Sequence, residues 1–356
     1  MKKIVLTGGG TAGHVTPHLA LIPRLKELGY EICYIGSYDG IEKKLIEDYD
    51  IPYYGIATGK LRRYFDPKNF SDPFRVIKGF GEAKKYLKEI RPDVVFSKGG
   101  YVSVPVVKAA GALKIPTVIH ESDQTPGLAN KLCFSTAARV CCNFPETLKY
   151  LPENKGIVTG SPIRAELAAG SRERGMQLCG FHPDRPVIMV IGGSLGAANV
   201  NAAVRAALPE LLRDFQVVHI CGKGKVDESL NDTAGYKQFD YVKEDLKDLF
   251  ALADVVISRA GANAICELHA LRKPNLLIPL GLNASRGDQI LNARSFEAQG
   301  YSMVLMEEEI GEHTLAEKVT ELFASRQNYI RAMDEGTMAD PIMTITGIIE
   351  EVRKNG

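Results

Sequence analysis

The chain has 356 residues, of which 45% are hydrophobic and 24% are charged. This balance is typical of globular proteins, and at about 150 residues per domain the length predicts two domains. The net charge of +1 excludes a strong positive field over the whole surface, so nucleic acid is not expected as a partner.

The first residues, MKKIVLTGGG, pass directly from two lysines into a short apolar run. A secretory signal peptide needs a longer apolar stretch and a cleavage site, and a membrane-spanning helix needs about 20 apolar residues. The seven cysteines include no Cys-x-x-Cys pair. We therefore expect a cytoplasmic protein with reduced thiols and no zinc site.

Short apolar runs alternate with helical patterns through the first half of the chain. Strands are predicted at residues 4–6, 32–35, 94–96 and 117–119. Helices are predicted after Pro17, at 41–48 and at 105–113. This alternation predicts a parallel sheet with helices on both faces.

The same pattern restarts after Pro162. Strands are predicted at 187–191, 217–221, 255–258 and 275–278, and helices at 198–212, 262–271 and 289–299. Residues 167–185 are expected to form connecting structure. We therefore expect two α/β domains at 1–163 and 164–340, followed by a terminal helix within 341–356 that has no strand after it.

The first predicted strand and helix are joined by a loop with the pattern Gly8-x-Gly10-x-x-Gly13. Such a loop is typical of dinucleotide sites, but an NAD site also needs an acidic residue at the end of the second strand, and Asp39 comes late for this role. His14 is not part of that pattern. A loop that binds a phosphate group and a tight turn without a ligand both remain open.

Two further loops follow predicted strands of the second half. Residues 258–267 lead into a helix whose first residues are small, so its N–H groups could bind a phosphate. Glu267 could accept hydrogen bonds from two ribose hydroxyls, or it could be an ordinary solvated helix residue. In the loop at 279–289, Asp288 could simply be a helix N-cap. Both loops are expected at the carboxyl edge of one sheet, where ligands bind.

Several motifs occur in a fixed order along the chain: Gly8-Gly9-Gly10-Thr11-Ala12-Gly13-His14, Lys98-Gly99-Gly100-Tyr101-Val102-Ser103, His120-Glu121, Gly192-Gly193-Ser194-Leu195-Gly196-Ala197, Ser258-Arg259-Ala260-Gly261-Ala262 and Gly287-Asp288-Gln289. Together they closely resemble the MurG family of lipid-linked N-acetylglucosaminyltransferases, over essentially the whole chain. The resemblance implies the GT-B fold, with two Rossmann-like domains facing across a cleft. It also implies that the final helix packs on the N-terminal domain.

The resemblance implies an inverting transfer of N-acetylglucosamine from UDP-N-acetylglucosamine. The acceptor would be the C4 hydroxyl of N-acetylmuramyl-pentapeptide on undecaprenyl diphosphate, so that lipid I becomes lipid II in peptidoglycan synthesis. Such a protein would act in cell-wall biogenesis, cell shape and division, as a peripheral protein on the cytoplasmic side of the membrane. An anionic membrane surface and cell-wall synthesis proteins are its candidate partners, and no cofactor is expected.

The resemblance assigns donor binding to the second half of the chain. The residues expected around the UDP diphosphate are Arg164, Ser194, Ala262, Asn263 and Ala264. The backbone of Val242 is expected to read the uracil, Glu267 to hold the ribose and Gln289 to bind sugar hydroxyls.

The resemblance assigns the acceptor side to the first half. The residues expected along the cleft are Thr11, Ala12 and Gly13, and the expected acceptor loop is Gly99, Gly100 and Tyr101. His14 is the candidate base or orienter of the acceptor hydroxyl. Two substrate-binding positions depart from relatives: Asp123 replaces an asparagine of the best-known members, and Asp288 replaces a glutamine of some members. Fine contacts to the sugars therefore stay open.

A base and a way to stabilise departing UDP are the chemical needs of this transfer. A histidine with a pKa near ~6.5 suits the base role, although a structural histidine bonded to backbone is the alternative. Helix N-termini and Arg164 can stabilise UDP without a metal. Asp48-Tyr49-Asp50 precedes Pro52 and is predicted to be a helix end, so no required metal is expected.

An aromatic segment at 61–80 interleaves apolar and cationic residues. The apolar residues are Tyr64, Phe65, Phe70, Phe74, Ile77 and Phe80. The cations are Arg62, Arg63, Lys68, Arg75 and Lys78. The segment is predicted to be a membrane-surface patch, although the helical spacing of Phe74 and Ile77 also fits a core.

Three other functions stay open at this point. The chain could be a nonenzymatic protein that binds nucleotide sugars or lipid diphosphates. It could be a UDP-N-acetylglucosamine epimerase, which needs no lipid acceptor. It could also be an NAD-dependent dehydrogenase.

Overall fold

The computed structural model describes residues 1–59, 68–192, 197–282, 287–336 and 340–355, except for the side chains of residues 68–71, 312 and 313. The chain divides into two compact units. Unit 1 consists of Met1–Arg164 and Met338–Gly356, and unit 2 of Ala165–Thr337.

Unit 1 is built on a parallel sheet that has seven strands within the described ranges, in the order β3-β2-β1-β4-β5-β6-β7. The strands are β1 (Lys2–Gly8), β2 (Tyr30–Ser37), β3 (Tyr53–Ile56), β4 (Val94–Gly99), β5 (Thr117–Glu121), β6 (Arg139–Cys142) and β7 (Gly156–Val158). The strand order reverses between β1 and β4, and in open α/β sheets ligands bind at such a point. The loops after β1, β4 and β5 are therefore neighbours.

Helices cover both faces of this sheet, because successive strand residues point to opposite sides. The helices are α1 (Thr16–Glu27), α2 (Ile41–Glu47), α3 (Lys68–Ile90), α4 (Ser103–Ala112) and α5 (Leu128–Cys133). On one face, Leu21 of α1 packs in one cluster with Leu6 and Phe96. On the other face, Leu87 of α3 packs in one cluster with Val5.

Unit 2 contains a second parallel sheet, six-stranded in the part of the chain described, in the order β10-β9-β8-β11-β12-β13. The strands are β8 (Val187–Ile191), β9 (Gln216–Ile220), β10 (Tyr236–Phe239), β11 (Val255–Ser258), β12 (Asn275–Leu277) and β13 (Met303–Val304). The helices are α6 (Arg172–Cys179), α7 (Ala198–Asp214), α8 (Leu246–Leu252), α9 (Ala262–Ala270), α10 (Asp288–Ala298) and α11 (Glu312–Glu335). The carboxyl ends of β8, β11 and β12 therefore lie side by side at one edge of this sheet.

The last helix, α12 (Pro341–Asn355), belongs to unit 1. Its apolar face, which includes the fully buried Ile345 and Ile349, joins the same cluster as Leu21 of α1. Its polar face carries Glu350, which pairs with Lys2 at 2.9 Å and accepts a hydrogen bond from the Tyr30 hydroxyl. Apolar burial and charge pairing thus hold this helix on the first sheet.

The structure corrects the expectation for residues 167–185, which contain more than connecting structure. Helix α6 lies within this segment. Ser171 caps its start by accepting a hydrogen bond from the N–H of Arg174. Gly180 ends it in the left-handed region, at φ +67°. This is a common helix C-terminus, since glycine adopts positive φ without strain.

Candidate functional site

The glycine loop of unit 1 runs from the end of β1 to α1, and its glycines are required by close packing. Gly10 has a φ of +86°, and a side chain there would collide with the Tyr101 ring. Gly100 has a φ of +80°, and a side chain there would collide with the carbonyl of Gly9. The loop after β4 therefore lies directly against the loop after β1. Thr11, Ala12, Gly13 and His14 thus lie next to the predicted acceptor loop of Gly99, Gly100 and Tyr101.

A buried carboxylate that the sequence analysis missed supports the glycine loop. Glu42 of α2 is fully buried, and it accepts hydrogen bonds from the Gly10 N–H at 3.3 Å and the Ser37 N–H at 3.0 Å. The hydroxyl of Ser37 donates to the same side chain. Glu42 shares a helix face with Leu45 and Ile46, so the pattern contained a signal for its burial.

This contact bears on the dinucleotide alternative. In an NAD site the acidic residue after the second strand binds ribose. Here the buried acid, Glu42, binds the protein's own backbone, while Asp39 is exposed. A carboxylate beneath the glycine loop also disfavours a pyrophosphate there, since like charges repel. The geometry of the glycine loop therefore disfavours a dinucleotide-binding site.

His14 ends a short 3-10 turn, Ala12–His14, immediately before α1. Its Nδ1 lies 2.9 Å from the Thr11 hydroxyl. Burial and the nearby charge of Lys98 lower the pKa of His14 to about 4, while a hydrogen bond to the backbone of Gly9 opposes the shift. The imidazole is therefore neutral at pH 7, as a general base must be before it accepts a proton. The contacts to Thr11 and Gly9 equally fit the structural alternative.

Lys98, His120 and Ser122 form a hydrogen-bonded cluster at the ends of β4 and β5. No role for Lys98 was predicted from the sequence. The buried Lys98 ammonium donates to His120 Nδ1 at 2.8 Å and to the Ser122 hydroxyl. Because Lys98 can only donate, His120 carries its proton on Nε2, which donates to the Gly160 carbonyl at 2.9 Å. Burial, followed by the charge of Lys98, lowers the pKa of His120 well below its usual value.

The loop after β5 is wound around another buried carboxylate, Glu121. This side chain accepts from the N–H groups of Ser122 at 2.8 Å, Asp123 at 3.1 Å and Gly127 at 3.1 Å, and from the Asn130 amide at 2.8 Å. Burial and the neighbouring Asp123 raise the pKa of Glu121. Asp123 is therefore fixed through its backbone, beside the loop after β4.

In unit 2 the predicted donor residues are spread over the loops at the carboxyl edge. Ala262, Asn263 and Ala264 form the first turn of α9, and the N-cap is Gly261, which has no side chain to bond the helix N–H groups. Glu267 is half-buried, farther along the same helix. Val242 is half-buried between β10 and α8. The first turn of α9 therefore presents backbone N–H groups and the positive end of the helix dipole.

The other predicted donor residues have different positions. Asp288 and Gln289 begin α10, and the N-cap is Gly287 at φ +82°, so the interpretation of Asp288 as an N-cap is wrong. Gln289 Oε1 accepts from the Leu280 N–H at 3.0 Å. Arg164 is half-buried at the end of the first segment of unit 1. Ser194 lies outside the described residues.

The aromatic segment is only partly described. Tyr64 and Phe65, and the side chain of Phe70, lie outside the described parts of the chain. On α3, Phe74 is 74% exposed and Ile77 is 68% exposed, so the interpretation of these two as core residues is wrong. Phe80 is half-buried against the core. Exposed apolar side chains of this size beside Arg75 and Lys78 form a surface suited to an anionic membrane.

Two features are absent from the described ranges, namely a helix able to span a membrane and a side-chain cluster able to hold a metal ion. None of the helices there combines the length and the apolar character that a bilayer crossing requires. No group of three or more His, Cys, Asp or Glu side chains in those ranges is arranged to hold a metal ion. Asp48 caps the C-terminus of α2, and Asp50 follows at φ +52°, which agrees with the predicted helix end.

Comparison with known proteins gives one family for both units. Residues 4–142 match the glycosyltransferase family 28 N-terminal domain, and residues 187–344 match the family 28 C-terminal domain. Among solved structures, Acinetobacter baumannii MurG is 25% identical, with a TM-score of 0.78, and the match covers 99% of this chain and 100% of that one. A Neisseria meningitidis UDP-GlcNAc 2-epimerase, 14% identical with a TM-score of 0.69, shares the fold.

Curated relatives are far more similar. A protein of Lachnospira eligens is 64% identical over 99% of this chain and 100% of the relative. One of Lachnoclostridium phytofermentans is 62% identical over 99% of both. Each is named UDP-N-acetylglucosamine--N-acetylmuramyl-(pentapeptide) pyrophosphoryl-undecaprenol N-acetylglucosamine transferase. With two Rossmann-like units of the GT-B type and relatives this similar over their whole length, the chain belongs to the MurG family, within glycosyltransferase family 28.

Proposed function

We propose that this enzyme transfers N-acetylglucosamine from UDP-N-acetylglucosamine to N-acetylmuramyl-pentapeptide on undecaprenyl diphosphate, the step from lipid I to lipid II in peptidoglycan synthesis. The observation that carries the proposal is the 64% identity, over nearly the whole chain, to a relative named for this transfer. The neutral His14 beside a tightly packed glycine loop suits the chemistry.

The acceptor reaction is assigned to unit 1. His14 takes the proton of the acceptor C4 hydroxyl while that oxygen attacks the anomeric carbon of the donor sugar. The bond from the anomeric carbon to UDP breaks, and UDP leaves with the bonding electrons. The configuration inverts because the acceptor oxygen attacks from the face opposite the departing UDP. The loop at Gly99–Tyr101 lies against the glycine loop, and Lys98 at the end of β4 donates to Ser122, the residue before Asp123, which supports a role for both loops in acceptor binding.

Donor binding is assigned to residues 164–340. The first turn of α9 and Arg164 stabilise the negative charge on departing UDP, since helix N-termini and guanidinium groups favour anions. Glu267 accepts hydrogen bonds from the ribose, the backbone at Val242 reads the uracil, and Asp288 and Gln289 bind the sugar. Ser194, which lies outside the described residues, is assigned to the same diphosphate. This assignment needs neither a cofactor nor a metal.

Membrane attachment is assigned to the aromatic segment. Phe74 and Ile77 project from α3 and enter the interfacial region, while Arg75 and Lys78 meet anionic headgroups, which contribute roughly 1 kcal/mol per cation. The protein accordingly acts as a peripheral protein on the cytoplasmic face of the membrane. There it meets its lipid-linked acceptor, and it also meets other cell-wall synthesis proteins.

The experiment that tests the proposal is incubation of the purified protein with UDP-N-acetylglucosamine, with and without the lipid acceptor. Release of UDP only when acceptor is present is the expected result. Conversion of the sugar without acceptor would instead support an epimerase, and binding without turnover would support a nonenzymatic binding protein. Turnover should persist in EDTA. Loss of turnover in EDTA that magnesium restores would contradict the metal-free mechanism.

A further inference from the structure

Glu307 accepts hydrogen bonds from three separate segments at the carboxyl edge of the unit 2 sheet. It begins a short 3-10 turn, Glu307–Glu309, after β13. Its Oε1 accepts from Arg259 Nη2 at 2.7 Å and from Asn199 Nδ2 at 2.9 Å, and its Oε2 accepts from the Gly281 N–H at 3.2 Å. We call these four residues the Glu307 cluster.

The three partners come from the start of α7 and from the segments that follow β11 and β12. Asn199 is in the first turn of α7, after the loop that follows β8. Arg259 directly follows β11, and Gly281 follows β12. One carboxylate therefore contacts three segments that lie far apart in the sequence.

Arg259 extends the contact to the end of β12. Its Nη1 donates to the carbonyls of Ile278 at 3.1 Å and Pro279 at 3.2 Å. The guanidinium is mostly buried, with 11% of the side chain exposed, and Glu307 has 13% exposed. These bonds hold the loops after β11 and β12 together, because a planar guanidinium fixes several partners in one geometry.

Two members of the Glu307 cluster, Arg259 and Gly281, are close in sequence to residues that contact or form the proposed donor site. Arg259 lies two residues before Gly261, the N-cap of α9, so its position sets where the first turn of α9 points. Gly281 follows Leu280, whose N–H donates to Gln289 Oε1 at 3.0 Å. A shift of Glu307 would therefore displace both the helix N-terminus and Gln289.

The ionised form of Glu307 is the one that this contact requires. Burial alone would raise its pKa, but the hydrogen bonds from Arg259, Asn199 and Gly281, together with the charge of Arg259, lower it overall. Removing the carboxylate would leave the guanidinium of Arg259 mostly buried without its charge partner, which is strongly unfavourable.

We propose that Glu307 is a positioning residue for the donor. It holds the start of α7 and the segments after β11 and β12 in the geometry that binds UDP, without touching the nucleotide itself. This inference rests on the proposed function, because it takes UDP as the ligand of that edge. It predicts that UDP affinity depends on a side chain outside the binding residues.

The test is calorimetry of UDP binding to the whole protein. Glu307→Gln should weaken UDP binding about tenfold or more, since a charged hydrogen bond contributes about 1.5–3 kcal/mol and the loops it holds would relax. The matched control is Glu308→Gln, which removes the same charge from the exposed neighbouring residue and should bind as the wild type does. Wild-type affinity in a folded Glu307→Gln protein would overturn the inference.

A second variant covers the case in which Glu307→Gln fails to fold. Asn199→Ala removes one donor to the same carboxylate from an exposed position, and it should weaken UDP binding several-fold. Where Glu307→Gln does fold, the two losses should not add in the double variant, because both act through one contact, whereas two unrelated destabilising changes would be additive. Wild-type affinity of Asn199→Ala, or simple additivity, would overturn the inference. A wild-type protein that binds no UDP would instead overturn the proposed function.

Discussion

Lys98 Nζ lies 2.8 Å from His120 Nδ1 at the buried carboxyl end of β4. The ammonium fixes the tautomer of His120, which in turn donates to Gly160. The same charge also contributes to the low pKa of His14, about 4, and that of His18, about 3, although burial is the larger cause in each. Burial and the charge of this one lysine thus act together to keep three neighbouring histidines neutral.

Replacing Lys98 with methionine should raise the pKa of His14 from about 4 toward its usual 6.5 without reaching it, because burial remains. If His14 is the base, the rate falls as His14 becomes protonated, so the acid limb of kcat/KM for the acceptor should move to higher pH. The pH dependence of kcat/KM in wild type and Lys98→Met gives the position of this acid limb. Lys131→Met, at an exposed position on α5, is the control and should leave the profile in place. An unchanged limb in Lys98→Met would contradict the role of this charge.

His14→Ala should lower kcat by about 10²–10⁴-fold, the usual loss when a general base is removed. UDP affinity should change little, because donor binding is assigned to unit 2. Single-turnover kinetics and calorimetry measure the two quantities separately. His14→Asn is the informative companion, since it keeps a hydrogen-bonding side chain near Thr11. A nearly active His14→Asn enzyme would favour the structural role of His14 over the base role.

Glu267→Ala should weaken UDP binding roughly tenfold to a hundredfold, because a charge-assisted hydrogen bond contributes about 1.5–3 kcal/mol. Glu267 is half-buried on α9, so the variant should remain folded, and far-UV circular dichroism checks this. Calorimetry with UDP gives the affinity. Undiminished affinity would return Glu267 to the role of a solvated helix residue.

Replacing both Phe74 and Ile77 with serine should weaken binding to vesicles that contain anionic lipid by about tenfold or more, since each exposed apolar side chain gains up to about 1.5–3 kcal/mol on burial. Thermal stability should not fall, because both side chains are mostly exposed. Vesicle sedimentation measures the binding. Leu178→Ser, on α6 of unit 2, is a control for the general loss of an exposed apolar group. Equal binding by all variants would place the membrane contact elsewhere.

Glu350→Gln should destabilise unit 1 by about 1–2 kcal/mol at pH 7, a value reduced for partial solvent exposure. Hydrogen bonds from Tyr30, Lys2 and Arg353 outweigh burial and lower the pKa of Glu350 to about 2. The stabilisation is therefore complete above the usual pKa of 4.5 and is lost as the pH falls toward 2.

Urea unfolding measures the free energy of unfolding of wild type and Glu350→Gln. Far-UV circular dichroism is the signal, because the chain contains no tryptophan to serve as a fluorescent probe. The difference between wild type and variant should shrink between pH 4.5 and pH 3. Glu351→Gln is the control, since its pair with Arg139 is half exposed and should contribute less. A difference that grows in acid would contradict the assigned cause.

The sequence by itself determined the parts of this protein that are local along the chain. Each glycine-rich turn lies between a strand and a helix that adjoin it, so the loop at Gly8–Gly13 and the first turn of α9 were predictable from neighbouring residues. Strong apolar runs such as β8 and β11 were predicted with the bounds observed. Short strands such as β13, with two residues, carry too little periodicity to be recognised.

Only the tertiary structure decided which side chains support those loops. Glu42 meets Gly10 across 32 positions, Lys98 meets His120 across 22, and Glu307 meets Arg259 across 48. In the sequence Lys98 and Glu307 look like ordinary surface charges, and Glu42 alone shares a helix face with apolar residues. Their burial follows from the order of the strands, because parallel strands that are distant in sequence bring their carboxyl ends to one edge. A carboxylate or ammonium enclosed there must bond to the surrounding loops, since burying a charge without partners is strongly unfavourable.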